Sequence, residues 1–297
     1  MTLQEFLQNF ANGISLGSLY ALIAIGYTMV YGILRLINFA HGEMIMVAAY
    51  IAFYTVFIFS MPWYISFFIA IIITTIVGIL VERLAYKPLR SSPRVTILIS
   101  AIGVSFFLQN LGIVLFTGRP KAFQVPTLFS QVYTIKGVNI VSLTFFIPTI
   151  TVVLLILLVY VINNTKIGMA MRAVAKDYDT SSLMGIDVNK IISVTFGIGS
   201  ALAAIGGIMW SMKFPQLTPT MGLMPGLKCF IAAVLGGIGN ITGAVVGGFI
   251  LGLTEILLVA FLPDLSGYRD AFAFILLILI LLVKPTGILG EKIAEKV

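Results

Sequence analysis

Residues 229–254 read CFIAAVLGGIGNITGAVVGGFILGLT and carry no charge. The run is long enough to cross a bilayer, because a spanning helix needs about 20 mostly apolar residues. Leu235-Gly236-Gly237-Ile238-Gly239-Asn240 interrupts it. A glycine cluster of this kind opens a helix, and non-helical backbone at membrane depth persists only where protein or a wet cavity covers it. The stretch therefore reads as a short descending half-helix, a break, and a full ascending helix from about Ile241 to Phe261. This is a broken, re-entrant pair covering about residues 227–262.

The composition agrees with a membrane setting. Hydrophobic residues make up 60% of the 297 and charged residues 10%, whereas soluble domains carry about a quarter charged residues. One cysteine, Cys229, excludes an internal disulfide, and one histidine, His41, excludes a multi-histidine metal site. The net charge of +7 needs no nucleic acid to explain it, since basic residues flanking membrane spans give such an excess. No cleavable signal peptide is expected, as Met1 to Gln4 lack a basic region.

Working outward, uncharged runs mark the other spans. Phe6–Leu34 supplies the first, and Met44–Val81 is long enough for two, divided at Ser60-Met61-Pro62-Trp63. Val95–Phe116, Leu143–Ile162, Ile191–Met212 and about Tyr268–Val283 follow. The alternation Val132-Tyr133-Thr134-Ile135-Lys136-Gly137-Val138 predicts a small surface hairpin. The expected architecture is an all-α integral membrane protein: a polytopic bundle of about eight spans with one glycine-broken pair, forming a single transmembrane domain over residues 1–297.

Lysine and arginine set the orientation. Arg35, the Arg83–Arg94 loop, the segment 163–190 and the C-terminal tail fall on one side and hold twelve of the 18 basic residues. The positive-inside bias puts that side in the cytoplasm, the C-terminus with it and the N-terminus outside.

The segment from Asn163 to Lys190 is the polar island of the chain. Gly168–Tyr178 fits one amphipathic helix, with Met171, Val174, Ala175 and Tyr178 on one face and Arg172 and Lys176 on another. Met184-Gly185 stops it, and Asp187 is placed to cap the next helix. Such a helix can dock into a groove on a partner or lie on lipid headgroups. The residues alone leave both open.

Other polar groups stand inside the apolar runs. His41 and Glu43, two residues apart, do not share a helical face. With Asn38 they form either a hydrogen-bonded turn at the inner end of the second span or a polar gate there. Glu255, inside the ascending helix, is costly in a membrane and is expected to face a cavity or the bundle interior. No Lys, Arg or His is evident at its depth, so no relay is assembled, and a position near the outer mouth would leave it hydrated. Gln109 and Asn110 read as interhelical hydrogen-bonding groups. Gly206-Gly207, Gly247-Gly248 and the stripe Gly243, Gly248, Gly252 read as close helix contacts.

Several motifs together resemble the permease subunits of branched-chain amino acid ABC importers. The most specific is Leu36-Ile37-Asn38-Phe39-Ala40-His41-Gly42-Glu43. It is joined by Arg172-Ala173, Met184-Gly185-Ile186, Ala233-Val234-Leu235-Gly236-Gly237-Ile238-Gly239 and Pro285-Thr286-Gly287-Ile288-Leu289-Gly290. The resemblance covers nearly the whole chain. It implies a transport subunit, not an enzyme, in a bacterial cytoplasmic (inner) membrane, with no cofactor of its own. Its partners would be a second homologous permease, two cytoplasmic ABC ATPases carrying ATP and Mg, and an extracytoplasmic binding protein. The chain has no Walker loop to hold ATP.

By this resemblance the island matches the coupling segment that docks on the ATPases, through Gly168, Met171, Arg172, Ala173, Val174, Lys176, Asp177, Met184 and Gly185. The translocation path or gate is expected at Asn38, His41, Glu43, Gly236, Gly237, Gly239, Asn240 and Glu255. The rival reading is an ion-coupled secondary transporter of small neutral solutes.

Overall fold

A computed structural model describes residues 2–135 and 137–290. Lys136 and the charged tail 291–297, which enter the charge count above, lie outside the described residues.

The chain opens with α1 (Leu3–Leu34), α2 (His41–Phe57) and α3 (Trp63–Val81). A π-helical turn, Glu82–Tyr86, and a 3-10 turn, Lys87–Leu89, extend α3 before α4 (Arg94–Phe116). A small polar cap follows: β1 (Lys121–Ala122), α5 (Thr127–Ser130), β2 (Val132–Ile135) and β3 (Val138–Val141). Next come α6 (Ser142–Asn164), α7 (Lys166–Lys176), α8 (Tyr178–Leu183), α9 (Val188–Lys213) and β4 (Gln216–Leu217). The last elements are α10 (Leu223–Gly236), α11 (Ile241–Phe261), a 3-10 turn at Pro263–Tyr268 and α12 (Arg269–Val283).

Among the described residues, seven helices are long and apolar enough to cross a membrane, and α2 and α10 are shorter apolar helices. The only sheets described are two-stranded. The expected hairpin pairs β2 with β3, Val132 opposite Val141, and β1 pairs with β4.

Local chemistry places the boundaries. Thr2 and Glu5 form a reciprocal capping box at the start of α1, and Arg35 ends it in a left-handed conformation with φ 52°. The turn between α2 and α3 falls at Ser60, φ 51°, and Pro62, as its residues predict. Asp187 caps α9 by accepting from the Lys190 N–H at 3.0 Å, again as expected.

α1 is the axis of the bundle. Every residue from Ser15 to Val30 is buried, the pattern of a helix apolar all round and enclosed on every side. α11 runs against it at a separation only glycine allows: a Cβ on Gly252 would lie 2.2 Å from the Gly17 nitrogen, and one on Gly248 2.5 Å from that of Ala21. Gly243 and Gly247 meet α10 in the same way, and Gly206 and Gly207 of α9 meet Ile23 and Ile45. The glycine pairs are packing sites within the chain. The outer helices α3, α4, α6 and α12 leave Phe68, Val114, Ile156 and Leu282 exposed on the rim, the surface that a bilayer covers.

Two expectations need correcting here. The island forms two helices where one was expected: α7 ends at Lys176, and Asp177 caps α8 through the Thr180 N–H at 2.8 Å. Asp177 is extended, φ −159° and ψ 121°, so the chain turns there. The second span is also shorter than a crossing and does not start at the bundle's end. The segment after Arg35 turns back into the protein, and α2 begins at His41 with its ring against Ile23 and Gly26 of α1. Ile23 lies eleven residues before Leu34, roughly 16 Å along the helix.

Candidate translocation site

α2 and α10 start beside each other in the middle of the bundle. Gly42 packs against the backbone of Gly222 and Gly226, where a Cβ on Gly42 would stand 2.7 Å from the Gly222 oxygen. Bare backbone on both sides is what permits this approach. Between them lies a cavity of about 70 Å³, lined by Tyr27, Asn38, Phe39, Glu43, Ser105, Leu227 and Phe230 with these glycines.

The polar residues of the Asn38–Glu43 turn diverge to separate helices. The Tyr86 hydroxyl donates to Asn38 Oδ1 at 2.7 Å. His41 Nε2 meets the Ile23 carbonyl at 3.2 Å. Glu43 accepts from Ser105 Oγ at 2.9 Å and from Gln109 Nε2 at 2.7 Å, both on α4. Ser105 is the midpoint of α4, so Glu43 lies at the centre of the bundle and not at its inner mouth. The turn is hydrogen-bonded, as one of the two readings held, but it is set deep. Gln109 makes the interhelical bond expected of it. Asn110 does not: its amide bonds the Phe106 carbonyl within α4.

The glycine break stands where the sequence places it, from Gly237 to Asn240. Gly237 and Gly239 have φ 110° and 93°, values that L side chains rarely adopt. The last carbonyls of a helix have no partner within it, and here the C-terminal turn supplies them. The N–H groups of Ile288 and Leu289 donate to the Leu235 and Gly236 carbonyls, each at 2.8 Å. Asn240 caps α11 through the Gly243 N–H at 3.0 Å and donates to the Leu289 carbonyl at 2.9 Å. The motif Pro285–Gly290 thus stitches the break closed.

At this same end a cavity of about 910 Å³ brings the island and the break together. Arg35, Asn163 and Arg172 line one side, and Gly239, Asn240 and Thr286 the other. The island and the break, far apart in sequence, are therefore walls of one polar space.

The island itself faces differently from the expectation. Gly168, Met171 and Val174 are buried against the protein's own core, where Met171 and Val174 join Val30, Ile33, Ile191 and Phe196. The apolar face of α7 is its anchor to α1 and α9, and it is not presented to a partner. Arg172 donates to the Ile162 carbonyl, and the Tyr178 hydroxyl to the Ile33 carbonyl at 2.6 Å. Ala173 is half-buried and Lys176, Met184 and Gly185 are exposed. The most exposed apolar side chains of the island are Leu183 and Met184, at 87% and 79%, followed by Met169 at 63%.

Glu255 is not alone. It is buried, accepts from the Tyr20 hydroxyl at 2.9 Å, and pairs with Lys228 at 2.9 Å and with Arg269 at 3.4 Å. Lys228 bridges onward to Asp270 at 2.7 Å. The expectation that no cation shares its depth is wrong, because α10 enters the bundle and carries Lys228 with it. Sequence reasoning also missed Glu82, fully buried, which pairs with Arg90 and accepts from Ser193 Oγ at 2.6 Å. Its position at the end of an apolar run was the available signal.

A bundle with an apolar rim, two shorter internal helices and buried charges is the build of a multi-pass membrane transport protein. The comparisons give the family. The model of the permease component of branched-chain amino acid transport systems matches residues 9–281. The high-affinity branched-chain amino acid transport system permease protein BraD of Pseudomonas aeruginosa is 44% identical, covering 99% of this chain and 98% of its own. LivH of Escherichia coli K12 is 43% identical, covering 98% of each. A probable LivH permease of Methanocaldococcus jannaschii is 30% identical over 92% of this chain and 89% of its own. Among solved structures, PsaBC from Streptococcus pneumoniae, in complex with Fab, aligns with a TM-score of 0.50 at 12% identity, covering 95% of this chain and 92% of that one. That last likeness is one of fold alone. The chain belongs to the branched-chain amino acid transport system permease family.

Proposed function

We propose that the chain is the transmembrane subunit of an ATP-binding-cassette importer and forms the path for branched-chain or related small neutral amino acids. The observation that carries this is the 43–44% identity to BraD and LivH across nearly the full length. The partners are a second permease, two ATPases that bind ATP and Mg, and an extracytoplasmic binding protein. The membrane is a bacterial inner membrane, crossed by seven long helices and entered by α2 and α10.

The described basic residues support the orientation. Arg35, Arg83, Lys87, Arg90, Arg94, Lys166, Arg172, Lys176, Lys190 and Lys284 belong to the end with the island and the break. That end is cytoplasmic by the positive-inside bias.

Docking on the ATPases falls to the exposed side of the island, Lys176 and Leu183–Gly185. Met171 and Val174 pass its movement to α1 and α9. The 910 Å³ cavity is the inner vestibule of the path, with Gly239 and Asn240 at its wall.

The test is uptake of labelled leucine, isoleucine and valine into vesicles. Vesicles holding all subunits should take them up with ATP inside and the binding protein outside. Uptake by this chain alone, driven by an ion gradient, would reject the reading.

A further inference from the structure

Among the described residues three acids are buried in this bundle, and two have cations. Glu82 has Arg90, and Glu255 has Lys228 and Arg269. Glu43, 1% exposed, has only the neutral donors Ser105 and Gln109 on one oxygen, and its Oε2 has no partner. Buried ionisable groups at membrane depth are paired or face a cavity that serves function. Glu43 lines the central cavity of about 70 Å³.

α10 begins beside this cavity at Gly222, and its first turn does not offer it a set of free donors: the Leu223 N–H is taken by the Thr220 carbonyl, Pro225 has no N–H, and the Gly226 N–H is taken by the Gly222 carbonyl. Tyr27, Phe39 and Phe230 add aromatic rings to the wall, which suits both an ammonium group and an apolar side chain.

We infer that this cavity binds the ammonium group of an α-amino acid in transit, held by the unpartnered Oε2 of Glu43. The inference rests on the permease reading and adds to it the point at which the cargo is held. A water occupies about 10–15 Å³ by this measure. The cavity therefore holds a head group and not a whole leucine, and α2 and α10 part to admit the side chain. Their contact through Gly42, Gly222 and Gly226 has no interlocking side chains to oppose that motion.

The experiment uses the complete importer in proteoliposomes and compares wild type with Glu43→Gln and Glu43→Asp. Gln keeps the acceptor for Ser105 and Gln109 and removes the charge. The expected result is at least a tenfold fall in leucine uptake for Glu43→Gln, a smaller fall for Glu43→Asp, and unchanged assembly. Wild-type uptake by Glu43→Gln overturns the site and leaves the permease reading intact, whereas no uptake by the wild-type complex rejects that reading itself. A second measurement covers a variant that fails to assemble. Labelled leucine bound to the wild-type permease–ATPase complex, without binding protein, should be displaced by 3-methylbutylamine far better than by 4-methylpentanoate. Equal displacement, or no saturable leucine binding, overturns the site.

Discussion

Lys228 Nζ lies 2.9 Å from Glu255 Oε1 inside the bundle, joining the half-helix α10 to α11. Removing one partner of a buried pair leaves an uncompensated charge, at a cost of about 3–5 kcal/mol. Lys228→Met should lower the thermal stability of the purified permease strongly. The double variant with Glu255→Gln should recover part of the loss. Strictly additive effects in the double-mutant cycle would show that the pair is not coupled.

Gly237→Ala should prevent correct folding. The residue has φ 110°, and a Cβ there would lie 2.4 Å from the Gly290 nitrogen. The left-handed region alone costs an L residue about 1–2 kcal/mol, and the collision with backbone adds to it. Gly103→Ala in α4, where a Cβ meets nothing within 4 Å, should instead be neutral or stabilising by about 0.5–1 kcal/mol. Yield of monodisperse protein in detergent separates the two, and equal yields would contradict the stitched break.

The two faces of the island should fail in different ways. Leu183→Glu with Met184→Glu should leave the permease folded and reduce co-purification of the ATPases at least fivefold, the effect of losing about 1 kcal/mol at an interface anchor. Val174→Glu should destabilise the permease itself, because that residue is fully buried. Normal ATPase capture by the Leu183/Met184 variant would move the docking surface elsewhere.

Tyr178 gives a pH signature. Burial raises its pKa above the ordinary tyrosine value, against the lowering effect of Arg90 and Arg35. A group with a raised folded-state pKa contributes stability that is intact below its unfolded value, about 10, and lost as pH rises through the folded value. The stability difference between wild type and Tyr178→Phe should therefore hold from pH 7 to 9 and shrink above about 10. A difference that grows above that pH would rule out the hydroxyl as donor to Ile33.

Much of the architecture is legible in the residues because its signals are local. Uncharged runs give the long helices, Gly236–Asn240 gives the break, Asp187 gives a cap, and the Val132–Val138 alternation gives the hairpin. Each depends on residues within a few positions of one another. Helical periodicity correctly puts Met171 and Val174 on one face of the island, but period alone does not say what that face meets. The tertiary structure turns it inward, because Val30, Ile33 and Phe196 offer it apolar surface on α1 and α9.

The polar interior was decided by contacts across the chain. Tyr20 and Glu255 are 235 residues apart, and Ser105 and Glu43 are 62 apart. Composition and spacing carry no trace of such pairings. Sequence by itself determined a helical membrane bundle with a glycine break and a cytoplasmic-type charge bias. Only the tertiary structure set α2 and α10 at half depth, because backbone-to-backbone contact at Gly42 and Gly222 lets them meet there. That meeting is what leaves Glu43 beside a central cavity without a cation of its own.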